Sequence, residues 1–293
     1  MSLWSDIERS IADAAGAPFR IDTRGPVGGG CINSAYRVAG PGSIYFVKTN
    51  APHAADMFAA EAAGLAEIAR AHTVRVPRPV CHDGNAEASW LALEWIEFGS
   101  AGRDSGRALG QALAAMHHVT AASFGWRRDN TIGATPQDNT TNSNWVEFWR
   151  ERRLGPQFAL AAKRGAPPPL LAKGARLARD FAVLLADCAV EPALQHGDLW
   201  GGNAGFDGAG APVIFDPAVY YGHREADLAM TELFGGFSAD FYAAYRDAYP
   251  LAPGYDVRKQ LYNLYHVLNH YNLFGGAYAR QAETLVDRLL AEI

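Results

Sequence analysis

The chain has 293 residues, 49% hydrophobic and 19% charged, with 16 prolines; this excludes a disordered or low-complexity protein and leaves room for two lobes. A formal net charge of −5 without a dense Lys/Arg run argues against a nucleic-acid or anionic-membrane partner. Acidic Asp6 and Glu8 near the N-terminus, Asp187 interrupting the apolar run FAVLLADCAV, and three widely spaced cysteines (Cys31, Cys81, Cys188) point to a cytoplasmic protein with no export signal, membrane span or cysteine metal pair.

Ser5 and Glu8 form a capping-box pattern ahead of Ile7, Ile11 and Ala14, which predicts an amphipathic helix ending near Gly16. FRIDT, SAYRVA and SIYFVKT then read as antiparallel strands separated by the glycines at 28–30 and by Gly40-Pro41-Gly42. A second helix follows Pro52, with Phe58, Glu61, Leu65 and Ile68 on one stripe, which puts Glu61 on the buried face. VPRPVCHDG breaks helix, and SWLALEWIEF suits a buried strand. Residues 1–97 are therefore expected to form a small sheet-based lobe. Residues 98–293 are expected to be mainly helical, with stripes at Leu109, Leu113 and Met116, near 171–188, and at Val257, Leu261, Leu264 and Leu268. ALQHG and PVIFD are the strand-like pieces between those helices.

The chemistry concentrates in His196-Gly197-Asp198-Leu199-Trp200-Gly201-Gly202-Asn203. A carboxylate and an amide five residues apart on a loop leaving a strand suit phosphoryl transfer. Asp198 can accept the proton of an attacking hydroxyl, while the Asn203 amide oxygen ligates Mg²⁺ on nucleotide phosphates. The apolar run Val213-Ile214-Phe215 then delivers Asp216, a second hard-oxygen ligand of the kind Mg²⁺ takes. The competing reading makes both aspartates turn caps beside Gly or Pro. Lys48 at a strand end and inward-facing Glu61 would each be costly alone, so each is expected to partner the other. The pair either holds Lys48 over the nucleotide phosphates or is purely structural.

Gly28-Gly29-Gly30 lets backbone amides approach phosphates, though three glycines also make an ordinary hairpin turn; neither a Walker nor a dinucleotide-binding fingerprint is present. Cys31 follows directly and is a candidate redox-sensitive thiol. His266 and His270 have metal-ligand spacing, but Val267 stands where a zinc peptidase has Glu. They read as packed or hydrogen-bonded helix residues, as does His117. The polar stretch 129–142, with Asn139 and Trp145, suits a sugar, with Trp145 or Trp200 covering its apolar face; solvated loop with core Trp is the alternative.

GGGCINSAYRV, FVK, EAAGL, DNTIGATPQDN, QHGDLWGGN and FDPAVYYGHREADLAMTELFGGF together resemble the fructosamine kinase (ketosamine-3-kinase) family, relatives of aminoglycoside and choline phosphotransferases, over nearly the whole chain. The resemblance implies an α+β, bilobal protein-kinase-like fold with an ATP-binding lobe at 1–97 and a catalytic, acceptor-binding lobe at 98–293. It implies ATP and Mg²⁺, and phosphorylation of a ketosamine's sugar hydroxyl, expected to be O3. It also implies that Glu94-Trp95-Ile96 is the hinge meeting adenine, and that His196 and Asp227 brace the catalytic loop. HGD and Asp216-Pro217 replace the protein-kinase H-R-D and D-F-G, which disfavours a protein-kinase substrate. Another small alcohol as acceptor, or a nucleotide-binding module without turnover, are the competing readings.

Overall fold

The computed structural model describes residues 2–28 and 32–293. In chain order the elements are α1 (Leu3–Ala15), β1 (Thr23–Val27), β2 (Ser34–Gly40), β3 (Ser43–Asn50), α2 (Ala55–Ala71), β4 (Pro79–Gly84), β5 (Ser89–Glu94) and α3 (Ser105–His117). Then come β6 (Asn130–Ile132), β7 (Thr135–Gln137), α4 (Trp145–Trp149), α5 (Gly155–Lys163), α6 (Pro168–Asp180), β8 (Ala193–Gln195), β9 (Ala204–Phe206) and β10 (Pro212–Ile214). The chain closes with β11 (Tyr220–Gly222), α7 (Glu225–Leu233), α8 (Ala239–Ala248), α9 (Tyr255–Phe274) and α10 (Tyr278–Ala291). It divides into two compact units, one formed by 1–105 with 202–217 and the other by 106–201 with 218–293.

The first unit is an antiparallel sheet in the order β1-β2-β3-β5-β4. Side chains alternate across a strand, so the register Tyr36–Val47–Ala92 sets Val47 and Ala92 on one face, with Val38 and Trp90 beside them. Ile7 and Ile11 of α1 complete that core. One residue on, the alternation sends Lys48 to the opposite face. Ser2, not Ser5, caps α1, its hydroxyl accepting from the Ser5 amide, and Gly16 ends the helix at φ +65°. Of FRIDT only Thr23 belongs to β1; ahead of it the Ile21 amide donates to Glu8 Oε1 at 2.7 Å and the Asp22 amide to the Ala39 carbonyl at 2.9 Å.

The boundary expected at 97/98 groups residues 202–217 with the helical part, whereas the β9–β10 hairpin belongs to the first unit. The Ile214 amide donates to the Arg75 carbonyl at 3.0 Å and the Gly99 amide to the Phe206 carbonyl at 2.9 Å. The two strand-like pieces do not pair with each other: β10 pairs with β9, and β8 with β11.

In the second unit α9 is buried on nearly every side from Leu261 to Asn269, as expected of a helix at the centre of a helical core. A buried ion pair ties it to α7: Arg258 Nε and Nη2 donate to the two carboxylate oxygens of Glu225 at 2.7 and 2.8 Å. Helix α3 meets α8 through glycine, since a Cβ on Gly110 would lie 2.3 Å from the Phe241 carbonyl oxygen. Gly110→Ala should therefore lower stability by about 1–3 kcal/mol, although alanine is the better helix former by about 1 kcal/mol. An unchanged urea midpoint would contradict this close approach.

Candidate active site

In the first unit, Lys48 Nζ lies 2.7 Å from Glu61 Oε1 and also bonds the Asp216 carboxylate. Strand alternation and the helical stripe bring Lys48 and Glu61 together; the β9–β10 hairpin supplies Asp216. Burial pulls the Lys48 pKa down, but its two carboxylate partners overcome that and hold it above the ordinary value. Glu61 is pushed above the usual carboxylate range, first by burial and further by Asp216, with Lys48 opposing. Asp216 has left-handed backbone, φ +57°, uncommon for a residue with a side chain, and its carboxylate remains 43% exposed. The Phe215 amide donates to the Asn203 carbonyl at 3.0 Å, which sets the backbone of Asn203 beside the segment carrying Asp216.

In the second unit, the loop after β8 is held by Asp227 in the first turn of α7. Its carboxylate accepts from the His196 amide at 2.6 Å and the Gly197 amide at 2.8 Å. His117 Nε2 donates to the same carboxylate at 3.2 Å, which leaves His117 Nδ1 to accept from the Tyr245 hydroxyl at 2.8 Å; Arg224 in turn donates to Tyr245 at 3.1 Å. Burial raises the Asp227 pKa, yet the bonds from His117 and the loop amides win and keep it an anion. His117 stays neutral because burial outweighs the pull of Asp227.

Gly197 adopts φ +85°, and a Cβ there would lie 2.1 Å from the Ala218 oxygen, so the turn into Asp198 requires glycine. The Asp198 amide donates to His196 Nδ1 at 3.3 Å, and Asp198 itself is half-buried. The Ala218 amide donates to the His196 carbonyl at 2.8 Å.

Of the remaining sequence candidates, Ile96 is buried, while Glu94 and Trp95 are half-exposed, Trp95 Nε1 donating to Glu97 at 2.9 Å. Gly28 is exposed; Gly29, Gly30 and Cys31 lie outside the described residues. Trp200 is exposed beside Asp198 in sequence. Asn139 and Trp145 are corrected as sugar-contacting candidates, because both are buried. Asn139 accepts from Arg153 at 2.7 Å and donates to Asn130, whose amide donates to the Val219 carbonyl at 2.8 Å; Gln137 bonds Ala218 from the same network. The polar stretch thus supports the backbone beside the loop, and Trp145 packs among Phe124, Phe148 and Trp149.

His117 is the buried, hydrogen-bonded helix residue its sequence suggested; its part as a brace, and those of Tyr245 and Arg224, are what sequence reasoning missed. The three come from three helical regions with no shared spacing, and only the apolar stripe around His117 hinted at burial. Cys188 has ligand-type neighbours after all, its sulfur lying within 4.8 Å of His223 and Glu225 ligand atoms, though Arg258 already holds the Glu225 carboxylate.

His117, His223 and His266 are all buried with depressed pKa values, His266 to about 3, with burial the main cause in each. The unfolded chain protonates them near pH 6.5 while the folded chain does not, so below that pH the unfolded state binds more protons. Their contribution is complete above about pH 6.5 and falls as pH drops toward the folded values, by up to about 1.4 kcal/mol per pH unit for each histidine. Urea unfolding between pH 7.5 and 5 should show this loss; a flat profile would contradict it.

The family model described as fructosamine kinase matches residues 3–292. A Synechocystis protein described as a probable ketoamine kinase is 50% identical over 98% of this chain and 97% of its own. A chloroplastic protein-ribulosamine 3-kinase of Arabidopsis thaliana is 43% identical over 94% of this chain and 85% of its own. The crystal structure of a proposed fructosamine-3-kinase from Thermobifida fusca superposes with a TM-score of 0.87 at 33% identity, covering 97% of this chain and 98% of that one. An aminoglycoside phosphotransferase matches in fold alone, with a TM-score of 0.63 at 14% identity over 98% of each chain.

Proposed function

The chain belongs to the fructosamine kinase family, and from that premise we propose that it transfers the γ-phosphate of ATP to a sugar hydroxyl, O3, of a ketosamine. The observation that carries this reading is the half-buried Asp198 carboxylate on a loop pinned at two successive amides by buried Asp227. A carboxylate held in that way is a general base with a fixed position.

In the proposed reaction Asp198 takes the proton from the acceptor hydroxyl as its oxygen forms a bond to the γ-phosphorus. The bond from the γ-phosphorus to the β,γ-bridging oxygen breaks and ADP leaves. Lys48, kept cationic by two carboxylates, holds the phosphates; Glu61 keeps the ammonium in place. Glu94-Trp95-Ile96 receives the adenine through backbone groups.

The residues fit Mg²⁺: Asn203 and Asp216 offer hard oxygens, the Asp216 carboxylate is partly open, and the bond between Phe215 and Asn203 keeps their backbone segments adjacent. Asn203 and Asp216 would hold the ion, which supplies charge neutralisation on the phosphates when bound. Trp200 is the ring on the acceptor side. No helix among the described residues is long and apolar enough to cross a membrane. The free cysteines Cys81 and Cys188 are compatible with the cytoplasm.

Asp198→Asn should reduce kcat at least about 100-fold while ATP affinity stays within about twofold, because the base acts on the acceptor and not on the nucleotide. Mg²⁺-dependent ADP release with a fructosyl-amino acid or a ribulosyl-amino acid tests this. Undiminished turnover in the variant would refute the assignment of the base, and turnover only with an aminoglycoside or choline would refute the acceptor.

A further inference from the structure

The second unit gathers three side chains of metal-ligand type that phosphoryl transfer does not use. Cys188 lies between α6 and β8, His223 directly follows β11, and Glu225 opens α7. One ligand atom from each lies within 4.8 Å of the other two. His223 and Glu225 are buried, whereas Cys188 is half-buried, which gives an ion a way in from solvent.

One pair already has the spacing that a shared ion needs. Cys188 Sγ is 3.7 Å from His223 Nε2. With Zn–S about 2.3 Å and Zn–N about 2.0–2.1 Å, a tetrahedral angle sets these two atoms about 3.5–3.6 Å apart. The carboxylate oxygen then has to close in by no more than about 1.3 Å, within reach of a small side-chain adjustment at Cys188.

The protonation states suit ligation. Burial, then Arg258 and Arg224, hold His223 well below its ordinary pKa, so its ring is the neutral imidazole that binds metals. His223 Nδ1 meets the Tyr262 hydroxyl at 2.6 Å. With an ion on Nε2 the ring proton sits on Nδ1, and the Tyr262 oxygen accepts it alongside the Trp145 Nε1–H at 3.2 Å. Such an outer bond is what orients a ligating histidine. Burial, then Glu225, push the Cys188 thiol up, which makes it a poor nucleophile, but a divalent ion displaces the thiol proton. Arg258 takes both oxygens of Glu225, yet each carboxylate oxygen keeps a second lone pair.

We propose that Cys188, His223 and Glu225 bind one divalent ion of borderline softness, Zn²⁺, with water in the fourth position. One sulfur, one nitrogen and one oxygen donor select Zn²⁺ over Mg²⁺. The ion clips the segment entering β8 to the turn between β11 and α7, with Glu225 two residues before Asp227. The site shares no residue with the Asn203–Asp216 pair and adds no step to phosphoryl transfer.

Metal binding alone tests this, without ATP or acceptor. Zn²⁺ is titrated in competition with a chromogenic chelator, and Co²⁺ by absorption, into the reduced, metal-stripped wild-type chain, Cys188→Ser and His223→Gln. Excess Mg²⁺ is present throughout to fill the hard-oxygen pair. The wild type should take up one Zn²⁺ in the micromolar range or tighter, gain urea midpoint with Zn²⁺, and give a thiolate-to-Co²⁺ charge-transfer band. Each variant should bind Zn²⁺ at least about 100-fold more weakly, since loss of even an outer-shell partner costs about 10–100-fold. Serine at half-exposed Cys188 is expected to leave the fold intact, which the metal-free urea midpoint checks, and the wild-type Co²⁺ spectrum depends on no variant. A Co²⁺ complex without the thiolate band, or wild-type Zn²⁺ affinity matched by either variant, would overturn the proposal. If Zn²⁺ binds as described but no ketosamine releases ADP, the phosphotransfer reading fails and the metal site stands.

Discussion

A single carboxylate, that of Asp227, sets the geometry on which the candidate active site depends. Buried and anionic, it is tolerable only if its oxygens are well hydrogen-bonded, and among its donors are the amides of His196 and Gly197 and the ring of His117. Satisfying the charge therefore fixes the loop. Two consecutive amides can point at one carboxylate only if the chain turns sharply there, and the positive φ of Gly197, pressed against Ala218, is that turn. Asp198 follows with its direction already decided. The neutral His117 and the Tyr245–Arg224 chain behind it keep the carboxylate from rotating away.

The first unit repeats the rule with the sign reversed. A buried ammonium, Lys48, is held by Glu61 and Asp216; burial, and then the neighbouring Asp216 carboxylate, raise the proton affinity of Glu61 against the pull of Lys48. Such an arrangement is weak evidence for stability, since removing the charges from water costs about as much as the pairing returns. It is better understood as positioning: the pairing fixes where the cation and the αL-configured Asp216 stand. The hairpin carrying Asp216 is anchored through Arg75, Glu97 and Gly99 rather than through the helices that flank it in sequence.

Much of this was legible in the sequence because it is local. Lys48 lies in a strand with clear alternation and Glu61 on a clear helical stripe, so one period-2 and one period-3.6 pattern sufficed to pair them. Asp198, Asn203 and Asp216 stood out by spacing on strand-end loops. What was not legible depends on partners far along the chain. Nothing in PVIFD says that it pairs with residues 204–206 and joins the first unit, because strand pattern specifies a face but not a partner. The amides of Asn130, Gln137 and Asn139 looked like sugar ligands because amides serve any carbonyl, and here they serve those of Arg128, Ala218 and Val219. His117 could not be read as a brace without knowing that α7 brings Asp227 to it.

The most direct test of this account is Asp227→Asn, assayed for ketosamine-dependent ADP release with kcat and the KM for ATP determined separately. An amide of nearly the same shape keeps one acceptor but turns a donor toward a loop amide, so the loop loses its fixed direction while the core keeps its volume. The account predicts a fall in kcat of at least about 100-fold, with the KM for ATP changed no more than about threefold and a cooperative urea transition retained. A folded variant with wild-type kcat would contradict it, because Asp198 would then hold its position without the carboxylate that is said to place it.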